Sequence, residues 1–215
     1  MTPSGRSRGH RVPVDFEIQA HRGNDAVALR RLLAARPSSI EADVGLSAAG
    51  LVIAHDTDLG DASGLSVEEL LAAAGDTPVV LEAKCFPDAT PGPSEFVRAL
   101  RALLPAVSVA SFDERLVGEI ARLRPQTPTT FLFERPRRAA SVVRTLGPRQ
   151  DIVTRDLIEG AHAAGVRVVP WTVNDVQRMA ELIDLGVDGI VTDQPALAHA
   201  VVASRLARQG RRSVA

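Results

Sequence analysis

Two stretches decide the fold. Ala163-Ala164-Gly165-Val166-Arg167-Val168-Val169-Pro170-Trp171 is followed shortly by Asp184-Leu185-Gly186-Val187-Asp188-Gly189-Ile190-Val191-Thr192-Asp193. Each reads as the end of a helix, a glycine stop, a short buried strand and a polar strand end. Working outward, the same alternation extends over most of the chain. Candidate strands are Phe16–Ala20, Ile40–Val44, Val79–Glu82, Val107–Ser111, Thr129–Phe133, Asp151–Thr154, Val166–Trp171 and Gly189–Thr192. Amphipathic stretches follow them at Ala26–Ala35, Ser66–Ala74, Pro93–Leu104, Glu114–Leu123, Pro136–Leu146, Asp156–Ala164, Asp175–Leu185 and Ala196–Arg208. Leu51–His55 is an extra extended piece behind the second strand, and Ser66 with Glu69 forms a capping-box pattern. Strand–helix units in this number predict a (β/α)8 TIM barrel of minimal size. A doubly wound open sheet would carry a glycine-rich phosphate loop after its first strand, where this chain has His21-Arg22-Gly23. Residues 15–204 are expected to form one domain, between a flexible tail at 1–14 and a basic tail at 205–215.

Composition narrows the function. The 215 residues are 45% hydrophobic and 24% charged, with a formal net charge of −1. This is globular composition without the basic field expected of a nucleic-acid binder. No apolar run reaches the roughly 18 residues of a membrane span. The first fifteen residues lack an apolar signal core, so a cytoplasmic protein is expected. A single cysteine, Cys85, excludes an intrachain disulfide framework and a cysteine-cage zinc site. Lys84 is the one lysine in a chain that otherwise uses arginine, and the two cations are not interchangeable.

In a parallel barrel, chemistry sits at the C-terminal strand ends. Residues two apart on a strand share a face. Glu41 and Asp43 therefore point together, as do Glu82 and Lys84. Three carboxylates on neighbouring strands repel one another unless a cation lies between them, and hard oxygen ligands suit Mg²⁺ or Ca²⁺. The alternative is that Glu41–Lys84 or Asp43–Arg22 salt bridges plug the barrel. His21 and His55 flank the carboxylate strand and suit an acid/base pair, whereas His162 and His199 fall in helices and read as surface residues. Arg22 and Lys84 add fixed positive charge. One divalent cation, two cations of the chain and two imidazoles together suit a phosphate ester.

The ordered motifs resemble a known family. They are Ala20-His21-Arg22-Gly23, Ile40-Glu41-Ala42-Asp43-Val44, His55-Asp56, Leu81-Glu82-Ala83-Lys84, Ser111-Phe112-Asp113, Trp171-Thr172-Val173-Asn174 and Gly186 through Pro195. In that order they are similar to the glycerophosphodiester phosphodiesterase family, over about residues 16 to 200. The resemblance implies hydrolysis of a small-molecule glycerophosphodiester to glycerol 3-phosphate and an alcohol. It implies Glu41, Asp43 and Glu82 as metal ligands, His21 and His55 as acid and base, and Arg22, Lys84 and Trp171 as substrate contacts. Phospholipase D-like action on a lipid head group, or a non-catalytic barrel that binds phosphorylated ligands, are the alternative readings. Two departures stand out. The family's Pro-Glu-Asn-Thr stretch is replaced by Asn24-Asp25-Ala26-Val27. Most of its insertion between the second histidine and the third carboxylate is missing. With little chain left for a lid, broad substrate preference is expected, with the loop Ala89–Pro93 as a replacement wall.

Overall fold

Eight parallel strands wrap around one axis in the computed structural model, which describes residues 12–48, 50–55, 65–85, 92–136 and 143–212. In chain order the strands are β1 Glu17–Ala20, β2 Ser39–Ser47, β3 Gly50–Ile53, β4 Val79–Ala83 and β5 Val107–Ser111, then β6 Thr129–Phe133, β7 Thr145–Pro148, β8 Arg167–Val168 and β9 Gly189–Thr192. The hydrogen-bonded order is β8-β7-β6-β5-β4-β2-β1-β9, and β3 lies off this path as an antiparallel partner of β2. Loose bonds bring β8 and β9 together. Asp188 N–H donates to the Val168 carbonyl, Val191 N–H to Pro170 and Val173 N–H to Val191, all at 2.8–2.9 Å. The chain is a (β/α)8 TIM barrel.

The helices among the described residues are α1 Ala26–Ala34, α2 Val67–Ala74, α3 Pro93–Leu100, α4 Glu114–Leu123, α5 Arg155–Ala163, α6 Val176–Leu185 and α7 Pro195–Arg212. Their starts follow from side-chain oxygens that satisfy the free N–H groups of the first turn. Asp25 accepts from Val27 and Ala28, Asp113 from Arg115 and Leu116, and Asp175 from Arg178. Ser66 and Glu69 close the expected capping box. Gly186 ends α6 in the left-handed conformation, with φ of 102°.

Three expectations are corrected. A helix over Pro136–Leu146 and a strand at Asp151–Thr154 are not what forms: residues 137–142 lie outside the described residues, β7 occupies Thr145–Pro148, and Gln150–Ile152 is a one-turn 3₁₀ helix. Gly147 lies within β7, where an added Cβ would sit 2.5 Å from a Leu132 methyl. Second, β8 is regular for two residues only, although Val169 and Trp171 N–H still donate to the Leu146 and Pro148 carbonyls beside it and an Arg149–Trp171 bridge follows. Third, the C-terminal helix runs as far as Arg212, past its expected end at Arg208, and Arg205 pairs with Asp184 at 2.8 Å.

The hydrophobic core lies outside the barrel. Alternate residues Ile40, Ala42 and Val44 on β2 and Leu81 and Ala83 on β4 face the helices, as their parity predicts. They meet buried side chains such as Leu29, Leu70, Leu116 and Ile120. The inward face buries a separate small apolar cluster, Val80, Ala110 and Leu132, with Trp171 packed against it. Most other inward positions are polar, from Glu17 and Arg167 at the far end of the strands to the cluster at the C-terminal mouth.

Candidate active site

The turn after β1 sets the geometry of the mouth. Arg22 is in the left-handed region, with φ of 59°, a conformation unusual for a residue with a side chain. This aims its backbone N–H at Glu41 Oε2, 2.8 Å away. Gly23 N–H reaches the Glu41 carbonyl at 2.7 Å. A Cβ on Gly23 would lie 2.6 Å from Ile40 Cγ2, so the close approach of this turn to β2 requires glycine. Asn24 completes the clamp. Its Nδ2 donates to Asp43 Oδ2 at 2.7 Å, and its Oδ1 accepts from Asp43 N–H at 2.9 Å. The short Asn24-Asp25 sequence thus fixes a carboxylate and caps α1 within two residues.

Glu41, Asp43 and Glu82 are buried together, with one carboxylate oxygen of each within 4.8 Å of the others. Burial holds the Glu41 carboxyl well above the usual range, and the neighbouring Asp43 and Glu82 charges push it the same way. Burial also raises Glu82, against the pull of Lys84. Glu41 Oε1 is buried and has no hydrogen-bond partner among the described residues. Lys84 Nζ lies 2.7 Å from Asp43 Oδ1 and is hydrogen-bonded to Glu82 Oε1. Burial disfavours the ammonium, but the two carboxylates outweigh it and hold the Lys84 pKa above its usual value. Arg22 Nε is 3.9 Å from Asp43 Oδ2. Two side-chain cations thus stand beside three carboxylates, and the buried triad could hold a divalent metal ion: its donors are hard oxygens, and one of them is unspent.

The histidines occupy different surroundings. His21 Nδ1 is 2.8 Å from Asp193 Oδ1, and Asn174 Nδ2 donates to Asp193 Oδ2 at 2.6 Å. Asn174 Oδ1 in turn accepts from Thr192 Oγ1 and Asp193 N–H. Burial opposes the Asp193 charge, but the bonds from His21 and Asn174 prevail and keep its carboxyl below the usual range. An ionised Asp193 places the proton of His21 on Nδ1, leaving Nε2 for proton transfer. His55 is exposed, and its Nε2 meets Arg22 Nη2. Trp171 is held by its indole N–H, which donates to the Gly147 carbonyl at 2.7 Å, and its ring meets Phe112 edge to face at 5.3 Å.

One cavity of about 380 Å³ brings together His21, Arg22, Glu41, His55, Glu82, Lys84 and Trp171. Asp43 joins through Lys84. Other polar strand ends stay out. Ser111 Oγ bonds the Ala83 carbonyl at 2.8 Å, and Asp113 caps α4 and pairs with Arg115. His162 is paired with Asp188 at 2.9 Å, and His199 with the Arg36 carbonyl at 3.1 Å. Asp56 and most of the loop Ala89–Pro93 lie outside the described residues. Asp193, Asn174 and Asn24 are the residues that strand-face parity alone left without a role. Their signal was position: two stand at polar ends of the closing strands, and the third directly follows His-Arg-Gly.

Comparison with known proteins bears on the fold and the family. The family model of the glycerophosphoryl diester phosphodiesterase family matches residues 94–197. A putative glycerophosphoryl diester phosphodiesterase from Silicibacter pomeroyi is 25% identical, with a TM-score of 0.75 over 92% of this chain and 95% of that one. Residues 94–197, a little under half of the chain, are thus similar to the glycerophosphoryl diester phosphodiesterase family. A glycerophosphodiester phosphodiesterase from Caldanaerobacter subterraneus is 30% identical over 95 residues, 41% of this chain and 39% of that protein's length. A phosphodiesterase from Oleispira antarctica, solved in complex with the product sn-glycerol-3-phosphate, shares the fold at 19% identity, with a TM-score of 0.71 over 87% of this chain and 96% of that one. The family match contains Trp171, Asn174 and Asp193, while the three carboxylates and His21 precede it. No helix of the described residues is long and apolar enough to cross a membrane.

Proposed function

We propose that this barrel hydrolyses glycerophosphodiesters to glycerol 3-phosphate and an alcohol. The observation that carries the reading is a buried three-carboxylate cluster opening into the same cavity as two histidines and Arg22. Glu41, Asp43 and Glu82 would hold a divalent cation of the Mg²⁺ or Ca²⁺ type. Bound there, it would neutralise charge on the non-bridging phosphate oxygens.

The chain's own groups supply the rest. Arg22 offers a planar fork of donors at the cavity wall, suited to a phosphate. Lys84 balances the carboxylates and keeps Asp43 and Glu82 fixed. His55, at the cavity wall beside Arg22, is suited to take the proton of an attacking hydroxyl. His21, oriented by its bond to Asp193, is suited to give a proton to the leaving alcohol oxygen. In the route the family resemblance implies, a glycerol hydroxyl forms the new O–P bond as the P–O bond to the alcohol breaks. Water then opens the cyclic phosphate, with the two imidazoles exchanging roles.

The test is release of glycerol 3-phosphate from glycerophosphodiesters by protein freed of metal and reloaded with Mg²⁺ or Ca²⁺. Turnover with metal and none in excess chelator is the expected result. Full activity in chelator, or none with any divalent cation, would rule the reading out.

A further inference from the structure

The interior of a TIM barrel is normally filled by bulky branched side chains. This one is not. The cavity at the mouth continues down the axis past Val80 and Ala110 to Glu17 and Arg167, at the far end of the strands. Along this path the inward positions of β5, β6 and β7 are Ser108, Thr130 and Thr145, with Gln19 opposite on β1. Gln19 lies two residues below His21 on the same strand face, roughly 6.6 Å deeper at about 3.3 Å per residue.

These four polar side chains make no hydrogen bond among the described residues. That sets them apart from the polar groups at either end. Above them, His21 Nδ1 and the Lys84 ammonium are engaged by carboxylates. Below them, Glu17 Oε2 pairs with Arg167 at 2.9 Å and Glu17 Oε1 accepts from Ser39 at the same distance. The chamber between is walled by Val80, Ala110 and Leu132. An apolar wall bearing a few convergent hydroxyl and amide groups, without a net charge, is the makeup of a site for a neutral polar ligand. The one charged pair at its end cancels itself, so nothing there compensates an ammonium group or a second phosphate.

We infer that this chamber is the subsite for the alcohol end of the diester, and that it takes a small uncharged polyol. This rests on the reading of the mouth as a phosphodiesterase site. With the phosphate held at Arg22 and the carboxylate cluster, one arm of the diester points down the axis. Its hydroxyls then meet Gln19, Ser108 and Thr130, which an alcohol without hydroxyls would leave unpaired. The chamber provides a specificity element that does not depend on a lid, so preference is narrower than the lost insertion alone suggests.

The experiment compares kcat/KM for glycerophosphoglycerol and glycerophosphoinositol with that for glycerophosphocholine, using the full chain loaded with Mg²⁺ or Ca²⁺. The parent protein should prefer the polyol diesters. Ser108→Ala and Thr130→Val, which remove a hydroxyl with little change of shape, should each cut the polyol-to-choline ratio about fivefold, the worth of one neutral hydrogen bond. His199→Ala, far from the barrel axis, should leave the ratio unchanged. A ratio that stays within twofold in both chamber variants, or a parent that prefers choline, would mean that the chamber holds only water. If no diester is turned over with any divalent cation, the phosphodiesterase reading itself fails. The chamber is then judged by inositol and glycerol binding, read as a rise in Tm: a rise that Thr130→Val abolishes supports it, and no rise in the parent overturns it.

Discussion

Arg22 concentrates several demands in one residue. Its left-handed backbone serves Glu41, its guanidinium faces His55, and its Nε approaches Asp43. The residues of the candidate site were legible because strand parity and the barrel rule place polar side chains at one end of the sheet. Asp193 was visible as a strand end, but its bond to His21 was not, because it joins residues 172 positions apart across the closure of the barrel. If His21 moves a proton, His21→Ala should lower kcat by about 10²–10⁴-fold. Asp193→Asn should lower it less and shift the alkaline limb of the pH–rate profile downward, because an imidazolium facing a neutral amide loses its proton more easily. An unchanged profile in Asp193→Asn would return that residue to a purely structural place. Lys84→Arg tests the only lysine. The compact ammonium reaches both Asp43 and Glu82, and a planar fork needs more room than that gap provides. Activity should fall by at least tenfold while the far-UV spectrum and the Tm are retained; near-normal turnover would make the choice of cation immaterial.

Elements were legible wherever their punctuation was local. Ser66 with Glu69, and the glycine before β9, marked their boundaries directly. Strand β7 was not legible, because Thr145-Leu146-Gly147-Pro148 carries a glycine and a proline and has little β-preference of its own. It forms because β6 on one side and β8 on the other supply its pairing. The turn from β1 into α1 makes the opposite point: every residue from His21 to Asp25 has an assigned partner or contact, so its geometry is tightly determined. Gly23→Ala would drive a methyl into Ile40, an overpacking that costs about 1–3 kcal/mol. The Tm should drop accordingly, and activity measured well below the new Tm should drop as well, because the Arg22 N–H and Asn24 that hold the carboxylates move with the turn. A variant with lowered Tm and full activity would show that this turn serves stability alone.

At the scale of the whole molecule, the fold keeps apolar packing outside the barrel and polar groups within, and the mouth carries a concentrated negative charge. That charge makes stability depend on pH and on metal. Glu41 and Glu82 titrate above their unfolded values, chiefly because they are buried. Between the unfolded carboxylate range and these raised values, the folded state binds more protons than the unfolded one. Stability from this pair is therefore present at low pH and lost as pH rises through that window. A divalent cation held by the triad would reverse the loss, since it binds the ionised folded form. At 100 times its dissociation constant a ligand adds about 2.7 kcal/mol, or about 5–10 °C in Tm for a domain of this size. The metal-induced rise in Tm should be largest near pH 7 and fade toward pH 4.5. In excess chelator at pH 7, Glu41→Gln should be at least as stable as the parent, because it keeps an acceptor for the Arg22 N–H and removes one of three crowded charges. The same variant should show little metal-induced rise. A metal effect of constant size across pH, or a clear loss of stability in metal-free Glu41→Gln, would contradict this account of the triad as a cluster whose mutual repulsion a cation relieves.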